Sequence, residues 1–194
     1  MFIRWLVVLL MCPIALFPSQ EPARCSIKIN KAQHALYLFA NGALVKQYPV
    51  ATGKNDADKG GVGDMATPEG TFTIVQIEDA SKWDHVYPEA AHVGAVLCYG
   101  PHFMRLSTLK SETFSGRGPW EGIGIHGTSV ENIQAADGSY WVSGPRSIGT
   151  SSSEGCIRLQ NIDLADLMAS LRRLRGNTSP MGVPVTIVDG VKRN

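Results

Sequence analysis

A mostly β domain with one substantial helix is what the sequence predicts, and three observations carry it. Twenty glycines and eleven prolines among 194 residues supply many turns. The apolar residues fall largely in short alternating or β-branched runs, which suit half-buried strands. Only the segment from Asp163 to Arg175 spaces its apolar residues as a helix does.

The chain opens MFIRWLVVLLMCPIALFPSQEPA. Arg4 precedes an apolar stretch from Trp5 to Phe17 that is too short and too proline-interrupted for a good membrane span. It suits the central region of an export signal, so residues 1–23 read as a leader with an uncertain cleavage point; an uncleaved anchor is the alternative. Met11 is a poor neighbour for a lipid-modified Cys12. The rest, residues 25–190, is long enough for one domain with its own core.

CSIKINKAQHALYLFANGALVKQYPV (25–50) alternates, and Asn41-Gly42 predicts a two-residue hairpin turn, because both residues tolerate positive φ. ATGKNDADKGGVGDMATPEG is a loop by its glycine and aspartate content. TFTIVQIE (71–78), GAVLCYGPHFMRL (94–106) and GIGIHG (122–127) read as strands. Asp163 is the predicted N-cap of the helix, whose face is Leu164, Leu167, Met168 and Leu171. Arg172, Arg173 and Arg175 suit the negative end of its dipole, and Gly176 stops it. VPVTIVD (183–189) is a closing strand.

Eighteen basic and seventeen acidic side chains leave a net charge of +1, which argues against a nucleic-acid binder held by phosphate neutralisation. No metal motif and no phosphate-binding glycine loop is present, so no cofactor is expected. His34, His85, His92 and His102 read as polar surface residues. Beyond the leader three cysteines remain: Cys25, Cys98 and Cys156. The odd count leaves two readings open, a Cys25–Cys98 disulfide with Cys156 reduced, or three buried free thiols.

Two segments stand out together, GIGIHGT (122–128) and SIGTSSSEGCIRL (147–159). A cysteine with a histidine elsewhere in the chain is the minimal composition of a thiol nucleophile and its base. If 154–159 is extended, Glu154, Cys156 and Arg158 share one face while Ile157 and Leu159 point into the core. Arg158 and a protonated His126 then offset Glu154 and favour the thiolate. Three roles for Glu154 stay open: an ion pair with Arg158, an acid that holds the imidazole, or a site for the ammonium of an acceptor.

Four segments, in order, resemble the L,D-transpeptidase catalytic domain of the YkuD type. They are the opening hairpin ending in YPVATGK, TPEGTFTI (67–74), IHGT (125–128), and SIG with S-x-GCIRL (147–159). The resemblance implies a β-sandwich or barrel with one main helix after the catalytic strand. It makes Cys156 the nucleophile and His126 its general base, with Gly127 orienting the imidazole. Ser153, Glu154, Gly155 and Arg158 become supporting or substrate-binding residues, with amides near Gly155 and Cys156 receiving the oxyanion. Peptidoglycan stem peptides become the partner, and a bacterial periplasm or cell envelope the location. Cross-linking transpeptidation is the expected activity. L,D-carboxypeptidase or endopeptidase hydrolysis on the same fold, or a silent wall-binding module, are the alternatives.

Two departures from the family pattern accompany this. Glu154 stands where the family usually has histidine. His126 and Cys156 are also further apart than usual, the excess being an insertion at 130–141 that either lines a groove or only decorates the surface.

Overall fold

The computed structural model describes residues 21–107 and 122–190, so the leader expected at 1–23 lies almost wholly outside the described residues. Three antiparallel strands open the domain: β1 (Cys25–Asn30), β2 (Ala35–Ala40) and β3 (Ala43–Pro49). In β1 the pleat sends Ile27 and Ile29 into the core and Lys28 to water. Asn41 and Gly42 take φ of 50° and 81°, the two-residue turn that their residue types predict.

β4 (Thr52–Gly53) leads into the glycine-rich loop, and β5 (Gly70–Asp79) leaves it. The loop is pinned rather than slack. Asp64 accepts from Lys59 Nζ (2.6 Å) and from the amides of Gly60, Gly61 and Ala66 (2.7, 2.8 and 3.0 Å). Burial raises the pKa of that carboxyl, but Lys59 and the three amides outweigh it and bring the pKa to about 2.

β6 (Asp84–His85), β7 (Val96–Leu97) and β8 (His102–Leu106) follow. The single strand expected over 94–106 is therefore broken. Gly100, at φ 67°, turns the chain between its two halves. β9 (Gly124–His126) precedes a small hairpin, β10 (Ile133–Gln134) with β11 (Trp141–Ser143). Then come β12 (Ser151–Ser153), β13 (Ile157–Arg158), helix α1 (Asn161–Leu174) and β14 (Pro184–Val188).

Eight strands join in the order β13-β9-β8-β5-β14-β1-β2-β3. The two ends of that sheet come back towards each other. Just past β3, Ala51 exchanges two backbone hydrogen bonds with Arg158 of β13, at 2.8 and 3.0 Å. The sheet thus curls almost shut, as the barrel expectation requires. Leu164, Leu167, Met168 and Leu171 of α1 are buried in the main core with Phe72, Ile74, Ile125 and Ile157. The helix begins two residues before the predicted cap. Gln160 occupies the cap position with no side-chain capping bond, and Asp163 lies in the first turn.

A second, smaller apolar cluster gathers Tyr87, Ala90, Cys98, Ile133, Ala135 and Val142. Much of it comes from the 130–141 insertion and the strand that follows. The insertion therefore closes a core and is more than decoration. Cys25 sits in the main core and Cys98 in this second one, and both thiols are free. The disulfide reading does not hold, because the two sulfurs belong to separate clusters.

Candidate active site

β9 and β13 pair in parallel, with Ile125 opposite Ile157 and His126 opposite Arg158. Residues in register share a face, and side chains alternate along each strand. Ile125 and Ile157 are fully buried on the core side. His126, Cys156 and Arg158 are left on the other side. All three line one cavity of about 50 Å³, together with His85, Tyr87, Tyr99, Ser153 and Glu154. A wider cleft of about 460 Å³ adjoins it across Tyr99, lined also by Trp83, Phe103, Arg105 and Gly122. The Cys156 thiol donates to the Gly122 carbonyl at 3.3 Å, so the sulfur lies where the two spaces meet.

The approach to Cys156 is a tight turn rather than the extended run expected from residue 154. Gly155 has φ 126°, and a Cβ there would sit 2.8 Å from the Ala66 carbonyl, so both the angle and the space exclude a side chain. Ser153 Oγ receives the Gly155 amide at 3.1 Å and donates to the Cys156 carbonyl at 2.5 Å. Thr67, fully buried, accepts from the Gly53 amide (2.8 Å) and donates to the Gly155 carbonyl (2.9 Å). The TPEG loop thereby holds the cysteine turn in place. The Gly155 amide, one of the two oxyanion donors expected from sequence, is thus committed to Ser153.

Aromatic rings immobilise His126. Its ring stacks on Phe103 (centroids 5.4 Å apart, 15° between planes) and lies 4.8 Å from Tyr99. Trp83 packs behind both of those rings. The Gly127 amide donates to the Tyr99 carbonyl at 2.8 Å, which ties the segment after His126 to the aromatic wall. Burial, and then the Arg158 charge, depress the imidazole pKa to about 3; the backbones of Gly127 and Tyr99 oppose this, although Nδ1 closes no hydrogen bond. Burial likewise raises the Cys156 thiol to about 11, against the Gly124 backbone and the charges of Arg158, Lys59 and Arg105. Both groups are therefore neutral at rest. Both shifts run against the thiolate beside a protonated His126 that the sequence led one to expect.

Arg158 is 1% exposed. It donates to the Val142 carbonyl (2.7 Å) and to Ser152 Oγ (2.9 Å), not to Glu154. The Arg158–Glu154 ion pair considered from sequence is absent, since the guanidinium points at the β11–β12 side. Glu154 instead meets His85 Nε2 at 3.3 Å, and His85 sits edge-on to Tyr87 at 4.8 Å. The sequence reading of His85 as a surface residue is thus corrected: β6 brings it to the cavity wall. Its aromatic setting in WDHVY was the one available hint. Lys54 pairs with Glu89 nearby, and Tyr140 of the insertion both donates to Glu89 (2.9 Å) and underlies the Lys54 ammonium at 5.7 Å. Among the described residues, no group of three or more His, Cys, Asp or Glu side chains could hold a metal ion.

Among solved structures, the chain resembles the helical cell shape determining protein Pgp2 from Campylobacter jejuni, at 19% identity and a TM-score of 0.51, over 88% of this chain and 49% of that one. It also resembles an L,D-transpeptidase from Mycobacterium smegmatis, at 18% identity and a TM-score of 0.47, over 86% and 59% of the two chains. The chain therefore spans less than two thirds of these structures' own length, and the likeness to Pgp2 shows the fold alone. No curated protein matches it. The family model of the L,D-transpeptidase catalytic domain, YkuD, matches residues 25–187, almost the whole described domain, and so the chain belongs to that family.

Proposed function

We propose that this protein is a cysteine acyltransferase that cross-links peptidoglycan stem peptides, with Cys156 as nucleophile and His126 as its base. The observation that supports this reading is that His126, at the end of β9, and Cys156, in the turn just before β13, line a single cavity at the edge of a wide cleft.

The neutral resting pair sets the order of events. The Cys156 proton passes to His126 as sulfur attacks the carbonyl on the L-side of an L–D peptide bond, so two buried charges arise only with bond formation. Arg158 lies on the same face and its charge favours the anion that develops, while the Cys156 amide receives the carbonyl oxygen. When the C–N bond breaks, His126 returns its proton to the departing D-amino acid and a thioester remains. An amine from a second stem then attacks, gives its proton to His126, and releases the Cys156 thiol. The leader read at residues 1–23 suits work outside the cytoplasm, at a bacterial envelope.

Incubation of the protein with a purified tetrapeptide-stem muropeptide, followed by mass analysis, tests the reading. Cross-linked dimers are the expected product. Tripeptides alone would reassign the site to L,D-carboxypeptidase hydrolysis, and an unchanged substrate would leave only a wall-binding module.

A further inference from the structure

The far end of α1, away from the cavity, gathers cations that the protein leaves without acidic partners. Arg172 and Arg173 are exposed in the last turn of the helix, and Arg175 follows it. Arg24 joins them through the backbone, since the Ala23 amide beside it donates to the Leu174 carbonyl at 2.8 Å. Among the described residues no carboxylate forms an ion pair with any of the four, although the charge of Arg173 reaches Asp166. The segments that build this end, 21–24, 40–45 and 170–184, contain a single acid, Glu21. They set four arginines against it in a chain whose net charge is only +1, so the remainder is acidic on balance. The helix dipole accounts for cations in the last turn, but not for Arg24 or for the exclusion of acids from the neighbouring segments.

The same end exposes apolar side chains. The β2–β3 turn lies beside Arg24, whose amide donates to Asn41 Oδ1 at 2.9 Å, and exposed Leu44 follows that turn. Arg175 donates to the carbonyl of Met181 at 3.1 Å, and the Met181 side chain is exposed as well. Cations interleaved with accessible apolar groups suit a surface that rests in a lipid headgroup layer. The chain leads to the same place. Phe17 closes the apolar stretch of the leader, and Arg24 comes seven residues later, at most about 25 Å of extended chain. A bilayer that receives the leader therefore lies within reach of this end of the domain. The cavity lies at the other end of α1, where Asn161 accepts the Thr128 amide two residues past His126.

We propose that this arginine-rich end is a docking surface for an anionic phospholipid bilayer, with α1 as the spacer between the lipid and the cavity of Cys156. Fourteen helical residues set that separation at about 20 Å. The surface does not depend on the acyl-transfer chemistry. Each arginine close to an anionic leaflet contributes about fivefold to binding, and salt screens the attraction beyond about 10 Å.

Flotation with lipid vesicles tests this on the chain from Glu21 onward, which holds every described strand, α1 and both apolar clusters and so folds without the leader. The protein should bind vesicles of equal parts phosphatidylglycerol and phosphatidylcholine at least about tenfold more tightly than pure phosphatidylcholine, and high salt should remove most of that difference. Arg24→Gln and Arg172→Gln should each weaken binding about fivefold. Arg146→Gln makes the same change of charge at an exposed site beside Trp141 and should leave binding as it was. Leu44→Ser should weaken it several-fold. All four side chains are exposed, so the variants keep the fold. Alkylation of Cys156 by iodoacetamide should run as fast on vesicles as in solution. Equal binding to both kinds of vesicle, binding to neither, or an equal loss in Arg146→Gln and Arg172→Gln overturns the docking surface. A Leu44→Ser protein that binds as tightly as the parent marks a general polyanion site and overturns the bilayer as its occupant. Slower alkylation on vesicles would place the lipid over the cavity and overturn the orientation.

Discussion

At the scale of single residues, the site is governed by burial. Cys156 and His126 are both displaced toward their neutral forms, the thiol to about 11 and the imidazole to about 3. Alkylation of the free protein should accordingly rise with an apparent pKa well above the ordinary thiol value of about 8.5, read from the iodoacetamide rate against pH. A profile centred near 7 would show that the cations win after all. The same shifts act on stability. Between about pH 3 and 6.5 the unfolded chain binds a proton at His126 that the folded one refuses, so stability is intact above 6.5 and falls as pH drops through that window. At about 1.4 kcal/mol per unit of pKa difference, the loss amounts to a few kcal/mol. His126→Phe should flatten this acid limb in urea melts taken from pH 7 to pH 4. Cys156 works at the other end: its folded pKa is raised, so its contribution is present at neutral pH and lost as pH climbs past about 9. What the sequence could disclose here was uneven. That Cys156 and His126 would come to one cavity could be expected from the short motifs around them. That His85 would join them could not, since it meets Glu154 across 69 positions of chain and no local pattern encodes that contact.

At the scale of elements, the cysteine turn depends on a loop that looks unstructured in sequence. Glycine and aspartate content marked residues 51–70 as loop. It did not reveal that Asp64 would gather four donors, nor that Thr67 would bridge Gly53 and Gly155. Thr67→Val keeps the shape and removes the hydroxyl, leaving a buried amide and a buried carbonyl unsatisfied. That should cost about 1–3 kcal/mol in urea unfolding and slow acylation of Cys156. Unchanged stability and rate would mean that the loop does not hold the turn. By contrast, the hairpin at Asn41-Gly42 was fully legible, because positive φ at two successive residues selects few residue types. The helix was legible by its apolar face but misplaced at its start. An aspartate two positions inside the first turn imitates a cap, while the true cap position, Gln160, makes no side-chain bond. Asn161, at the first helical position, spends its carboxamide on the Thr128 amide (3.0 Å), bracing the segment after His126.

At the scale of the whole molecule, the cavity rests on closure of the sheet. The Ala51–Arg158 exchange brings the opening hairpin to the strand after Cys156, and α1 fills the interior that this closure creates. Leu167 is buried at the centre of that helix's apolar face. Leu167→Ala should destabilise the domain by about 2–5 kcal/mol in denaturant unfolding, and any loss of acylation should follow the folded fraction. A small effect would mean that the helix is not what fills the sheet. Closure of this kind could be expected from the family resemblance but not from strand patterns, because periodicity describes neighbours along the chain and says nothing of which edges meet. The central claim is that Cys156, served by His126, takes up an acyl group from a stem peptide. Intact-protein mass after mixing with a tetrapeptide-stem muropeptide tests it most directly. The account predicts a thioester adduct on Cys156, absent in Cys156→Ala and nearly abolished in His126→Ala. An adduct that survives Cys156→Ala, or that forms at the normal rate without the imidazole, would contradict it.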